Sequence, residues 1–351
     1  MNRQPSHEYH RDDHLMNGQP ITEQAPAATA TLRLGTRRSA LAMAQSGMVA
    51  REVTRVTGRP VELVEITTYG DTSREALAQI GGTGVFVSAL RDALLEGRID
   101  FAVHSLKDLP TAAPEGLVLA AVPEREDVRD ALVAAEGLTL DELVEKLAGA
   151  GRPARIGTGS PRRMAQLNAW ARARGAALET VAIRGNVDTR IGYVTNGELD
   201  AVVLATAGLN RLGRSAEISQ HLDPELMIPA PGQGALAIEC TAADTDLTAA
   251  LAALDHTPTR VAVAAERALL ATLEAGCSAP VAALATWVRP NELRLEGVVG
   301  DPDGAALLKM SANGPIVLDE TAEQHATALG RTLAARLLDA GAATLMGERA
   351  R

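Results

Sequence analysis

From residue 31 onward the chain alternates short apolar runs with longer segments whose apolar positions recur every three or four residues. Short runs of this kind predict buried strands, and the longer pattern predicts helices packed on one face. "LRLGTRRSALAMAQ" from Leu32 and "ARIGTGSPRRMAQL" from Ala154 share this order: strand, polar Arg-bearing turn, then Met-Ala-Gln inside a helix. A second pair follows in the same order. "GRIDFAVHSLKDL" from Gly97 and "GELDAVVLATAGL" from Gly197 align Asp100 with Asp200, Val103 with Val203 and Leu109 with Leu209. Two matches in one order imply two lobes built on one plan, against chance similarity among Ala-rich segments. Strands alternating with helices predict mainly parallel sheets with helices on both faces. Ligands of such sheets sit at the carboxyl ends of the strands, so the polar loops would line a cleft between the lobes.

The pattern changes near Thr257. "TPTRVAVAAERALLATLEAG" predicts a helix with Pro258 in its first turn and Gly276 near its C-cap. "PVAALATWV" and "ELRLEGVVG" predict two strands, "ALLKMSA" a third, and "AEQHATALGRTLAARLLDAGA" a closing helix. This is a small α+β domain, with Cys277 on the loop between its first helix and first strand. The Pro/Gly-rich "PAPGQGALAIEC" predicts a crossing back to the first lobe and a strand in which Cys240 is a buried apolar residue. The expected organisation is therefore a first α/β lobe at 31–125 with 229–252, a second α/β lobe at 126–228, and a C-terminal domain at 253–351. Residues 1–30 are polar without an apolar period and predict a disordered tail. His7, His10 and His14 have spacings that could share one helix face, but no carboxylate or Cys completes a metal set at clear spacing, so a solvated tail is the simpler reading.

Composition narrows the class. The 351 residues are 46% hydrophobic but only 2% aromatic, so the cores must be built from Ala, Val, Leu and Ile. A net charge of -10 argues against a general nucleic-acid or membrane binder. Two cysteines make neither a disulfide framework nor a zinc site. No apolar run is long enough to span a bilayer, and the N-terminus has no signal-peptide core, so a cytoplasmic setting is expected.

Arginines supply the first candidate chemistry. Arg37 and Arg38 precede Ser39, a candidate N-cap; Ser160 is a second candidate N-cap, followed by Pro161, Arg162 and Arg163. A helix N-terminus offers free N–H groups and the positive end of the dipole. Cations are unfavourable there unless an anion is bound, and guanidinium groups recognise carboxylate or phosphate in bidentate fashion. "IRGNVDTR" adds Arg184 and Arg190, and "GLNRLG" adds Arg211. Each alone reads as a surface salt bridge; as a set at strand ends they ask for a polyanionic ligand.

"FAVHSLKDLP" ends an apolar strand in His104, Ser105, Lys107 and Asp108. Asp108 suits a general acid/base or a stabiliser of positive charge. It equally suits a turn cap, and spacing does not choose. His104 alternates with apolar neighbours, as a hydrogen-bonded core histidine does. "GDTSREALAQIGGTGVF" has glycines at 81, 82 and 84 but no Walker ending, so it reads as a mobile segment over the cleft with Asp71 at its start. Cys277 lies between Gly276 and Ser278. A small packed residue is one reading. A reactive thiol, which needs access and a nearby cation, is another, and an anchor for a prosthetic group a third. No Cys-His-Asn spacing supports a hydrolase.

In combination, "LRLGTRRSALA", "GVFVSALRDALLEGRIDFAVHSLKDLPT", "EREDVRDAL", "IGTGSPRRMAQL", "IRGNVDTRI", "AGLNRLG", "PAPGQGALAIEC" and "LEAGCSAPV" resemble the porphobilinogen deaminase (hydroxymethylbilane synthase) family, in family order from Leu32 to the C-terminus. The resemblance implies two lobes like those of periplasmic binding proteins and a third domain carrying the cofactor cysteine, here Cys277. It implies a dipyrromethane cofactor held there by a thioether and built from the enzyme's own substrate or product. Four porphobilinogen units are then added with loss of ammonia, and water releases hydroxymethylbilane. By motif position, Arg37, Ser39, Ser160, Arg162, Arg163, Arg184 and Arg190 would hold carboxylates of cofactor or substrate. Arg211 and Lys107 match further binding positions, Asp108 the catalytic aspartate, and Asp71 the acid of the mobile loop. Many members have two lysines in that loop, where this chain has Gln79 and Thr83. The resemblance also implies a monomer without metal.

Overall fold

The computed structural model describes residues 30–67, 84–275 and 279–346. Asp71, Gln79, Gly81, Gly82, Thr83, Gly276 and Cys277, and the tail up to residue 29, lie outside them.

The first repeat unit folds as read. β1 (Leu32–Thr36) runs into Ser39, whose hydroxyl accepts from Ala42 N at 3.3 Å and caps α1 (Ala40–Thr57). β2 (Val61–Glu65), α2 (Gly84–Leu95), β3 (Phe101–Ser105) and β4 (Leu117–Ala121) follow, so a helix already begins at Gly84, inside the segment expected to be mobile. The second unit comprises β5 (Asp130–Ala134), α3 (Leu140–Gly149), β6 (Ala154–Thr158), α4 (Pro161–Arg174), β7 (Leu178–Ala182), α5 (Val187–Thr195), β8 (Ala201–Ala205), α6 (Thr206–Arg211) and β9 (Gln220–Leu222). β10 (Leu236–Thr241) and α7 (Thr245–Ala252) then pack with the first unit. Cys240 on β10 is fully buried, which pushes its thiol pKa up.

The two five-stranded sheets have one plan: β2-β1-β3-β10-β4 and β7-β6-β8-β5-β9. Both are mixed, where the alternation of strands and helices predicted mainly parallel sheets. The cause is the exchange of strands between lobes. β5 starts where β8 ends, pairing Asp130 with Ala205, and β10 starts where β3 ends, pairing Leu236 with Ser105. A strand that enters its sheet from the cleft side must run antiparallel to strands that finish there.

Side chains repeat the plan. Asp100 accepts from Arg33 N at 2.6 Å, and its counterpart Asp200 accepts from Arg155 N at 2.8 Å, each tying a strand start to the neighbouring strand. A Cβ on Gly35 would lie 2.2 Å from Ile99 Cδ1, and one on Gly157 2.6 Å from Leu199 Cδ1. These glycines let a helix-to-strand residue pack flat on the sheet.

The last region is α8 (Thr257–Thr272), an antiparallel sheet β11 (Val281–Arg289), β12 (Glu292–Gly300) and β13 (Leu307–Pro315), then α9 (Ala322–Asp339) and α10 (Ala342–Met346). The closing helix stops at Asp339, where Gly341 takes a φ of 95°. The core lies between α8, α9 and the sheet.

A buried carboxylate helps to join this region to the rest. Glu266 of α8 is fully buried and accepts four hydrogen-bond contacts: Arg125 Nη1 at 2.7 Å and Nη2 at 3.0 Å, Gly232 N at 2.7 Å and Ala285 N at 2.9 Å. Arg125 and Gly232 lie on the two segments that cross between the lobes. A buried carboxylate is tolerated only when paired and hydrogen-bonded in this way. Glu266→Gln turns an accepting oxygen into a donor facing other donors. It should lower the unfolding free energy by about 3 kcal/mol, read from urea titration. A loss under about 1 kcal/mol would mean that the junction does not depend on this charge.

Candidate active site

The first lobe contributes the acid. β3 ends in Ser105 and passes into a single 3-10 turn, Leu106–Asp108. Leu106 is buried beneath the turn, Lys107 is half-buried and Asp108 is exposed. The turn is gripped from two sides. Leu106 N donates to Ala235 O at 3.0 Å, and Arg267 of α8 donates to Leu109 O at 2.9 Å and Pro110 O at 2.7 Å. Ser105 Oγ accepts from Gln45 of α1 at 3.0 Å. His104 is a core residue whose Nε2 lies 3.2 Å from Glu239 Oε2. Burial pushes the Glu239 pKa up, but His104 and Arg91 outweigh that and hold it near 2. Arg37 follows β1 on a half-buried bend, while Arg38 faces solvent and pairs with Glu65 at 3.1 Å.

The second lobe contributes cations. Ser160 stands at the N-cap of α4 with Pro161 next, as the sequence predicts. Unlike Ser39, its hydroxyl makes no capping bond. Arg162 and Arg163 in the first turn are only 4% and 5% exposed. Both meet the fully buried Asp130 at the start of β5. Arg163 Nη2 reaches Asp130 Oδ1 and Arg162 Nη1 reaches Oδ2, each at 2.8 Å. Each also donates to backbone, Arg162 Nη1 to Ile228 O at 2.7 Å and Arg163 Nη1 to Val203 O at 2.8 Å. Arg162 Nε is buried without a partner.

The loop between β7 and α5 folds back against this turn. Asn186 caps α5 by accepting from Thr189 N at 2.9 Å, and Arg190 Nε donates to Gly185 O at 2.9 Å. Gly185 has a φ of 110°, where a Cβ would strike Thr189. A Cβ on Gly159 would lie 2.7 Å from Ile183 O, so the two loops touch through backbone. Arg184 is exposed on this loop.

Electrostatic coupling brings these groups together across the lobes. Enclosure of the Lys107 ammonium lowers its pKa to about 8; Asp108 and Asp130 oppose the shift, and Arg163 and Arg162 add to it. Some of the Lys107 side chain remains exposed, so the enclosure concerns the charged end. Burial lowers the Arg190 pKa, Arg163 and Arg184 lower it further, and Asp108 opposes. Burial would raise the Asp130 pKa, but the two arginines hold it far below the usual carboxylate range. Asp108, Lys107, Arg162, Arg163, Arg184 and Arg190 thus share one neighbourhood. Arg211 Nη2 donates to Gly234 O at 2.6 Å on the crossing segment, with Glu126 nearby.

Three contributors escaped the sequence reading. Asp130 had a signal, since a charged residue opening the apolar run "DALVA" needs a buried cation. Gln233, which accepts from Lys107 Nζ at 3.2 Å and donates to Asp130 Oδ1 at 2.9 Å, and Arg267 had none, because each acts on residues far away in the chain.

Comparison with known proteins places this geometry. The family model described as porphobilinogen deaminase, dipyromethane cofactor binding domain, matches residues 32–249, and the porphobilinogen deaminase C-terminal domain matches 260–339. Porphobilinogen deaminase 1 of Streptomyces avermitilis is 67% identical over 325 residues, covering 91% of this chain and 98% of the relative. Porphobilinogen deaminase of Thermobifida fusca is 53% identical over 324 residues, covering 92% and 98%. Among solved structures, a probable amino-acid transporter binding protein of Bacillus subtilis aligns with a TM-score of 0.36 at 10% identity, covering 64% of this chain and 89% of its own. A periplasmic binding protein of Salmonella typhimurium aligns at 0.34 with 14% identity, covering 64% and 91%. Likenesses this distant add nothing to what the strand order states. The sequence matches span both lobes and the last domain, and by them the chain belongs to the porphobilinogen deaminase family, transferases that join porphobilinogen units on a dipyrromethane cofactor to supply tetrapyrrole biosynthesis.

Proposed function

We propose that the cleft between the lobes holds the growing pyrrole chain by its carboxylates and that Asp108 carries the proton chemistry of each addition. The observation that supports this reading is one exposed carboxylate, Asp108, within electrostatic reach of Lys107 and Arg190 on opposite lobes. The lobes are 31–125 with 229–252 and 126–228, and the domain 253–351 presents Cys277 as the cofactor anchor.

The residues present fit a polyanionic cofactor. Arg162 Nε is buried without a partner, Ser160 makes no capping bond, and burial, with Arg163 and Arg184 adding to it, lowers the Arg190 pKa. The dipyrromethane supplies a covalently held primer to which incoming units are joined. Arg37, Ser39, Lys107, Ser160, Arg184 and Arg190 meet carboxylates of primer and substrate, and Arg211 steadies the crossing segment beside them. Arg162 and Arg163, largely spent on Asp130, act chiefly as a buried positive field and through the Nε of Arg162. Asp108 stabilises the positive charge that develops on the substrate as ammonia leaves, and accepts and returns its proton. Asp71 serves as the acid at the start of the loop over the cleft. The same reading has the chain work as a monomer in the cytoplasm, on porphobilinogen and the growing chain. The net charge of -10 supports the exclusion of nucleic acid. Among the described residues no helix is long and apolar enough to cross a membrane.

Three outcomes test this. Wild-type protein should be heavier than its sequence by two porphobilinogen units less two ammonia, and Cys277→Ala should show bare mass; equal masses after incubation with porphobilinogen would remove the anchor role. Asp108→Asn should keep the fold and the cofactor mass while losing at least a hundredfold in turnover, and near-normal turnover would end its assignment as the acid. The third concerns Lys107, whose folded pKa of about 8 lies below its unfolded 10.5. Between those values the unfolded chain binds more protons, so folding stability rises with pH. In the Cys277→Ala background, the Lys107 protein should gain on the order of 1 kcal/mol over its Lys107→Met variant between pH 8 and 10.5. Parallel pH curves would show that the ammonium is not enclosed.

A further inference from the structure

Gln233 sits between the lobes with no exposed surface. Its backbone is fixed from both sides. Gly232 and Gly234 take φ values of 75° and 87°, and a Cβ on them would meet Lys107 N at 3.3 Å and Glu126 O at 2.4 Å respectively. Arg125 Nε donates to Gln233 O at 2.7 Å, and Arg211 holds the next carbonyl at 2.6 Å. The side chain is therefore delivered to one place. There its Nε2 donates to Val128 O at 2.8 Å and to Asp130 Oδ1 at 2.9 Å, and its Oε1 accepts from Lys107 Nζ at 3.2 Å. The orientation is forced, since the reversed amide would set its oxygen against a carbonyl and a carboxylate. A carboxamide alone among side chains of this length donates to one lobe and accepts from the other here.

We propose that Gln233 is a positioning residue for the reaction: its amide couples Lys107, next to the acid, to Asp130, which clamps Arg162 and Arg163, and so sets the spacing between the acid of the first lobe and the cations of the second. The proposal rests on Asp108 being the acid. Misplacement of reacting groups by an ångström removes up to about a hundredfold in rate without abolishing binding. Gln233 thus acts on turnover more than on substrate affinity.

The test uses cofactor-loaded enzyme carrying Gln233→Met, which keeps length and bulk, and Gln233→Glu, which keeps the acceptor for Lys107 but loses both donors. Turnover is expressed per loaded chain, counted by intact mass, beside porphobilinogen KM and the melting temperature. Both variants should load cofactor and lose at least tenfold in kcat, with KM changed less than threefold. In a Lys107→Met background, Gln233→Met should cost less than twofold more, because the coupling it removes is already absent. Unchanged kcat per loaded chain, or costs that multiply in the double variant, would overturn the proposal. Failure of both variants to yield soluble loaded enzyme would assign Gln233 to stability alone and overturn it too. Asp108→Asn, run beside them, separates this failure from failure of the acid assignment, since only the latter leaves that variant active.

Discussion

Two arginines share one buried carboxylate at Asp130, and the cleft depends on that sharing. Arg162 and Arg163 stand in the first turn of a helix, where the dipole disfavours positive charge, and both are buried, where an unpaired guanidinium costs several kcal/mol. Asp130 answers both problems from a strand that arrives from the other lobe. The answer is incomplete by one charge. Lys107, Arg184 and Arg190 lie in the same neighbourhood, and the Asp108 carboxylate opposes the lowering of the Lys107 and Arg190 pKa values. Crowded cations of this kind favour an anion nearby.

The internal repeat shows how the chemistry is divided. The positions that align with Lys107 and Asp108 in the second lobe are Ala207 and Gly208, so the acid exists once. In the helices, Met43-Ala44-Gln45 aligns with Met164-Ala165-Gln166, which sets Leu41 and Ala42 opposite Arg162 and Arg163. Both glutamines are still used structurally, Gln45 on Ser105 and Gln166 on both backbone groups of Ile228. One scaffold therefore carries the acid on one copy and the buried cation pair on the other. Neither lobe is a site alone.

What was legible in the sequence follows from the range over which each signal acts. Periodicity and caps are local, so β1, α1, β6, α4 and the repeat between them could be read, down to Ser160 and Pro161 at the helix start. The arginine clusters were legible as a demand for an anion because cations at a helix start conflict locally with the dipole. Pairings were not. Asp130 meets Arg163 across 33 residues, Gln233 meets Asp130 across 103, and Arg125 meets Glu266 across 141. Burial of an acid can be inferred from an apolar run, but its choice among many arginines is made by tertiary geometry. The antiparallel fourth strand of each sheet escaped for the same reason, since strand direction depends on where the chain crosses.

Successive residues of α8 settle how the last domain meets the others. Glu266 gathers Arg125, Gly232 N and Ala285 N, while Arg267 grips the carbonyls that follow the Asp108 turn. The helix that leads toward the loop of Cys277 is thus bolted directly to the acid-bearing turn. The cations of the second lobe reach that turn more lightly, through the Gln233 amide. The first helix of the last domain and the Asp108 turn are therefore joined directly, whereas the arginines of the second lobe meet that turn through a single side-chain amide.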